Sequence, residues 1–92
     1  MSRVAIRRQH ALGRAEAHRR VSRVAVGLTE RFGAACRWEG DVLCIEHPGV
    51  RGTVSIGANE IEVDAELGLA LRLLRGSAEQ EIARILDREL GA

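Results

Sequence analysis

The chain has 92 residues, which is room for one small core and for a single domain spanning 1–92, since short domains bury a smaller share of their surface than long ones. Its 46% hydrophobic and 29% charged content fits a water-soluble globular protein, and no stretch approaches the apolar length of a membrane span or a signal peptide. A second domain and a membrane helix are therefore excluded from the reading, and a cytoplasmic location is expected.

The net charge of +1 hides an uneven distribution. Residues 1–33 hold Arg3, Arg7, Arg8, Arg14, Arg19, Arg20, Arg23 and Arg31 against only Glu16 and Glu30, while the rest of the chain is rich in acids. The expectation is that the two halves neutralise each other once folded. Phe32 and Trp38 are the sole aromatics, so aliphatic side chains must fill the interior and Trp38 is expected to be its largest anchor.

In chain order, Arg3 to Arg8 alternates, with Val4 and Ile6 on one side and Arg3, Ala5 and Arg7 on the other, as a first strand would. From Gly13 to Phe32, the residues Ala17, Val21, Val24, Ala25, Leu28 and Phe32 fall at helical spacing and define one apolar stripe. Val26 is the odd apolar member of the opposite, charged face. Gly33 follows where a left-handed cap is cheapest.

Ala35 to Trp38 and Val42 to Ile45 then flank Glu39-Gly40-Asp41, a hairpin signal. Placing Cys36, Trp38, Leu43 and Ile45 toward the core sends Cys44 to the other side, so free thiols are expected. His47-Pro48-Gly49 breaks the strand, and Val50, Gly52, Val54 and Ile56 alternate with Arg51, Thr53 and Ser55. After Gly57-Ala58-Asn59, a last strand puts Ile61, Val63, Ala65 and Leu67 inward. Its other side carries Glu60, Glu62, Asp64 and Glu66. Four carboxylates in a row repel one another, which predicts that this strand pairs with the first one, through Arg3 and Arg7.

The leucine-rich run from Leu67 to Arg75 favours a helical turn. Ser77-Ala78-Glu79-Gln80 has the form of a capping box opening a helix that carries Ile82, Ile85, Leu86 and Leu90 on one face. The fold class is α+β: a two-layer sandwich in the order β-α-β-β-β-β-α, with an antiparallel sheet packed against one long and one short helix.

No residue set announces chemistry. His10, His18 and His47 lack the spacing of metal ligands, and Cys44 with His47 is half a zinc site at best. No catalytic, cofactor-binding or metal residues are assigned, and His10 is expected to hydrogen-bond a strand end. The N-terminal arginines lack the interleaved aromatics of a nucleic-acid interface, so no nucleic-acid partner is expected. Leu69, Leu71 and Leu74, rimmed by Arg72 and Arg75, form a candidate surface contact, although core packing is the stronger expectation for leucines in so small a chain.

The segments Ile6-Arg7-Arg8-Gln9-His10-Ala11-Leu12, Arg37-Trp38-Glu39-Gly40-Asp41, Gly49-Val50-Arg51-Gly52-Thr53 and Leu67-Gly68-Leu69, with Ala17 in the helix, resemble the polyhydroxyalkanoic acid system family. The likeness covers nearly the whole chain, with His10, Trp38, Gly40, Asp41, Gly49, Gly52 and Gly68 as its motif positions. It implies a small bacterial protein linked to polyhydroxyalkanoate storage polyester, some members sitting on the granule, and it brings no catalytic residues. The expected function is a non-enzymatic accessory whose partner is the granule surface or a granule protein. The alternative is an apolar-ligand module with a pocket between sheet and long helix, lined by Val54, Val63 and Leu28.

Overall fold

A computed structural model describes residues 2–68 and 75–90. The strands are β1 (Ser2–Gln9), β2 (Ala35–Glu39), β3 (Val42–His47), β4 (Val50–Ile56) and β5 (Glu60–Leu67), and the helices are α1 (Arg14–Phe32) and α2 (Arg75–Glu89). The sheet is antiparallel throughout, in the order β1-β5-β4-β3-β2. The expected α+β order is the observed one.

β1 pairs with β5 from Ser2↔Leu67 to Gln9↔Glu60, which sets Arg3 opposite Glu66 and Arg7 opposite Glu62 on the open side of the sheet. Both guanidiniums reach carboxylates of β5: Arg3 binds Asp64 through two hydrogen bonds of 2.7 and 2.8 Å, and Arg7 binds Glu62. Opposite charges across a ladder are the arrangement that relieves an acidic strand. The same register places Val4 and Ile6 beside Ala65 and Val63 on the inner side.

Because β1 and β2 lie at opposite edges, α1 must carry the chain across the whole sheet. Its 19 residues span about 28 Å at 1.5 Å per residue, more than the four interstrand spacings of about 4.8 Å that it has to cover. Ala17, Val21 and Ala25 form its buried stripe, small side chains that let the helix lie close to the strands. At its end Gly33 takes a left-handed φ of 69°, and the Gly33 and Ala34 N–H groups turn back to Thr29 and Leu28 carbonyls. α2 covers β1 with Leu86, and Ile82, Ala83 and Leu90 pack around it. Arg20 of α1 donates to the Glu89 carbonyl at 2.8 Å, a cation at the negative end of α2.

The largest fully buried side chains are Leu43, Ile61 and Val4. Trp38 is not the deepest anchor: it sits half-buried on the edge strand β2, where its ring stacks on His18 at a centroid distance of 3.6 Å. Phe32, placed on the core stripe by its spacing, is 61% exposed, because it ends α1 where the chain leaves the sheet for the turn into β2. Ser77 does not cap α2. The described helix already includes Arg75 and Gly76, so the serine lies within the helix and not at the capping position before it. Leu69, Leu71, Arg72 and Leu74 lie outside the described residues, and Arg75 is described only as the first residue of α2.

Replacing Leu43 by Ala is expected to cost about 2–4 kcal/mol, as other emptied aliphatic sites do. Phe32→Ala is expected to change stability by no more than about 0.5 kcal/mol. Urea midpoints of the two variants check the contrast, and equal losses would contradict the burial described.

Candidate functional site

The motif residues fall at two ends of the sheet and do not converge. At one end, His10 follows β1, is almost fully buried, and bolts that strand to the β4–β5 turn. Its Nδ1 accepts the Leu12 N–H at 3.2 Å, which leaves Nε2 as the protonated nitrogen that donates to the Gly57 carbonyl at 3.2 Å. The backbone adds His10 N–H to Asn59 O at 2.8 Å. The expected strand-end hydrogen bond is therefore present, in doubled form.

The same end holds the β2–β3 hairpin. Gly40 has φ 62° and Asp41 does not share the positive φ, the pattern of a type II′ turn, which demands glycine first. The Asp41 carbonyl accepts Ile56 N–H at 2.9 Å, and its carboxylate lies 3.6 Å from Arg14 at the start of α1. At the other end, Gly49 turns the chain with φ 83° and its carbonyl accepts Gly68 N–H at 2.9 Å. Gly52 lies between Ile45 and Ala65 in the ladder, and a Cβ there would meet the Asp64 carbonyl at 3.2 Å. Gly40, Asp41, Gly49 and Gly68 thus hold turns, Gly52 a close approach and His10 a strand end, while Trp38 stacks on His18 within β2.

Two grooves stand out. One, of about 620 Å³, lies against the β3–β4 turn and is lined by Gly33, Glu46, His47, Pro48, Gly49 and Gly68, beside the point where the chain leaves β5. The second, of about 420 Å³, lies between α1 and the edge of the sheet, lined by Ser22, Val26, Thr29, Cys36, Trp38 and Leu43 among others. Neither is lined by Val54, Val63 or Leu28. Val54 and Val63 are buried core residues.

Across the open side of the sheet, register builds a row of alternating charge: Arg3, Glu66, Arg51 and Glu46 face one another from β1, β5, β4 and β3. The arginine surplus of the first third is met in the same way. Arg8 pairs with Asp87, Arg14 with Asp41, Arg19 and Arg20 with Glu16, and Arg23 with Glu89. The Arg20 hydrogen bond is the main cause holding the Glu16 carboxyl below its ordinary value.

Cys44 and His47 project to opposite sides of β3, so the C-x-x-H spacing does not make a ligand pair. Both cysteines are free. Among the described residues, no three of His, Cys, Asp and Glu gather as metal ligands, and no helix is long and apolar enough to cross a membrane.

The model of a protein family, described as "Putative polyhydroxyalkanoic acid system protein", matches residues 4–90. The chain belongs to that family. The match runs from the core residue Val4 of β1 to Leu90, just beyond α2, and so includes both motif-bearing ends of the sheet. Comparison with curated proteins and with solved structures gave no match.

Three contacts were not readable from the sequence: the His18–Trp38 stack, the Arg20–Glu89 carbonyl bond and the Arg8–Asp87 pair. Each joins segments whose relative placement depends on how the helices cross the sheet. No local pattern carries that information.

The Arg3 hydrogen bonds, with its charge, hold the Asp64 carboxyl below its ordinary value of 3.8, against a smaller opposing effect of burial. A carboxyl depressed in the native state stabilises the fold above the unfolded value and loses that contribution as pH falls through the native one. Denaturation midpoints measured from neutral pH down to about pH 2 should therefore fall less for Arg3→Ala than for the parent protein. Parallel curves would show that the pair does not contribute.

Proposed function

We propose that this protein is a non-enzymatic accessory of the polyhydroxyalkanoate storage system that works by surface contact at the polymer granule. The family match over residues 4–90 carries the reading. The chemistry of the motif positions supports it, since they maintain turns and strand ends and offer no nucleophile, base or ligand set.

A polyester granule is an apolar surface in water, and adhesion to it requires apolar area, worth about 25 cal/mol per Å² removed from water. The open side of the sheet is covered by ion pairs and does not supply that area. The assigned contact is the connection from β5 to α2, with Leu69, Leu71 and Leu74 as the apolar part and Arg72 and Arg75 as its basic rim. It leaves the sheet at Gly68, next to the larger groove.

The double variant Leu71→Glu/Leu74→Glu tests this with isolated granules and circular dichroism. Each leucine withdrawn from an apolar contact forfeits about 1.5–3 kcal/mol, so partitioning onto granules should drop at least about tenfold while the fold is retained. A folded variant that partitions like the parent refutes the contact. A variant that unfolds shows that these leucines belong to the core, and that adhesion has to be sought elsewhere on the surface.

A further inference from the structure

We infer that β2 is a self-association edge: two copies of this chain join their β2 strands antiparallel about a two-fold axis through Trp38, forming one continuous ten-stranded sheet. The inference rests on backbone direction, charge and an unfilled groove, and is independent of the granule reading.

Backbone direction comes first. β2 is an edge strand whose described ladder partner is β3 alone. Its hairpin has a two-residue loop, so the flanking pair Glu39↔Val42 is the one that exchanges hydrogen bonds, and bonded pairs then alternate back to Arg37↔Cys44 and Ala35↔Glu46. The Ile56 N–H to Asp41 O bond confirms the alternation from the other side of β3. Cys36 and Trp38 consequently direct their N–H and C=O groups outward. Neither group has a recorded backbone partner among the described residues. A two-fold axis at Trp38 satisfies that residue twice, each Trp38 N–H donating to the Trp38 carbonyl of the second copy.

Charge selects this register from its neighbours. With Trp38 opposite Trp38, Arg37 faces Glu39 of the second copy and Glu39 faces its Arg37, giving two opposite-charge pairs on the open side of the sheet. A shift that centres the axis on Arg37 sets two guanidiniums face to face and is disfavoured. A shift to Cys36 sets Arg37 opposite Ala35 and leaves the charges unmatched. Within one chain Arg37 and Glu39 already bond at 2.7 Å, so the pair is extended into a four-membered ring of charge without exposing a new one. β1, the other edge, carries Arg3, Arg7 and Arg8 and no acid, and has no comparable self-complementarity.

The groove supplies the remaining contact. Five strand residues alone fall short of the roughly 800 Å² per partner of a stable interface. An axis perpendicular to the sheet keeps both α1 helices on the same side and turns the Val26 side of each toward the other. Val26 is 55% exposed and lines the groove of about 420 Å³ that opens between α1 and β2 beside Trp38. The Val26 side chain of one copy therefore fills space above the β2 edge of the other.

Sedimentation equilibrium of the full chain, with hydrogen exchange at Trp38, tests the inference. The parent should populate a dimer of twice 10.0 kDa. Arg37→Glu and Glu39→Arg, each creating like charges across the axis, should each weaken it at least about tenfold. The double variant Arg37→Glu/Glu39→Arg should restore affinity to within about threefold of the parent. The Trp38 amide should exchange slowly in the dimer and fast in either single variant. Circular dichroism of each single variant separates a lost dimer from a lost fold. A parent that stays monomeric at all concentrations, a dimer indifferent to the charge exchange, or a Trp38 amide that exchanges rapidly within the dimer would overturn the inference. So would an edge that takes up only an extended peptide of another protein.

Discussion

The pairing of the first strand with the last determines where everything else in this chain can go. Once β1 lies beside β5, the next strand can join only at the far edge, and α1 has to cross the inner side of the sheet to reach it. α2 then has one uncovered stretch left, over β1. The arginines of β1 and the acids of β5 specify this pairing more than they strengthen it. Exposed ion pairs contribute about 0–1 kcal/mol each, whereas burying Val4, Ile6, Ile61 and Val63 in the shared interior contributes about 1.5–3 kcal/mol per side chain. A slip of one residue would turn Arg3 and Arg7 inward and Val4 and Ile6 outward, so charge and apolar alternation exclude the same error.

The strands and the first helix were legible because their signals are local. Alternation from Glu60 to Leu67, the stripe Ala17-Val21-Ala25 and the glycine at 33 each involve residues within a few positions of one another, and each survived folding unchanged. Even the β1–β5 pairing was readable, since an unrelieved run of carboxylates names the sign of its partner. What was not legible depends on finite size. Phe32 has the helical phase of a core residue but sits beyond the end of the layer that would cover it. Trp38 has the inward phase but belongs to an edge strand, where the inner side is only half roofed, and its stack with His18 is the compensation. Phase can be read from sequence; the boundary of the covered area cannot.

The glycines and the histidine expected to mark the family are of the same structural kind. Gly40 and Gly49 are turns with positive φ, Gly52 admits the Asp64 carbonyl, and Gly68 completes a bond to Gly49. His10 ties two chain segments through both ring nitrogens, a role open to a residue with one acceptor and one donor on a rigid ring. A pattern composed of such residues preserves a scaffold.

The surfaces are unequal in what they can touch. The open side of the sheet is a field of arginines and carboxylates in which each charge has a neighbour of opposite sign, and laying it on a polyester would strip water from all of them without replacing it. The inner side is occupied by the two helices. What remains among the described residues is the rim, above all the β2 edge, whose outward backbone groups and paired charges match a second copy of themselves. A dimer across β2 would use the polar part of that rim and would carry the proposed granule contact twice. Two weak contacts on one rigid body act at high effective concentration, so the proposed dimer would strengthen the proposed granule contact without any new apolar surface.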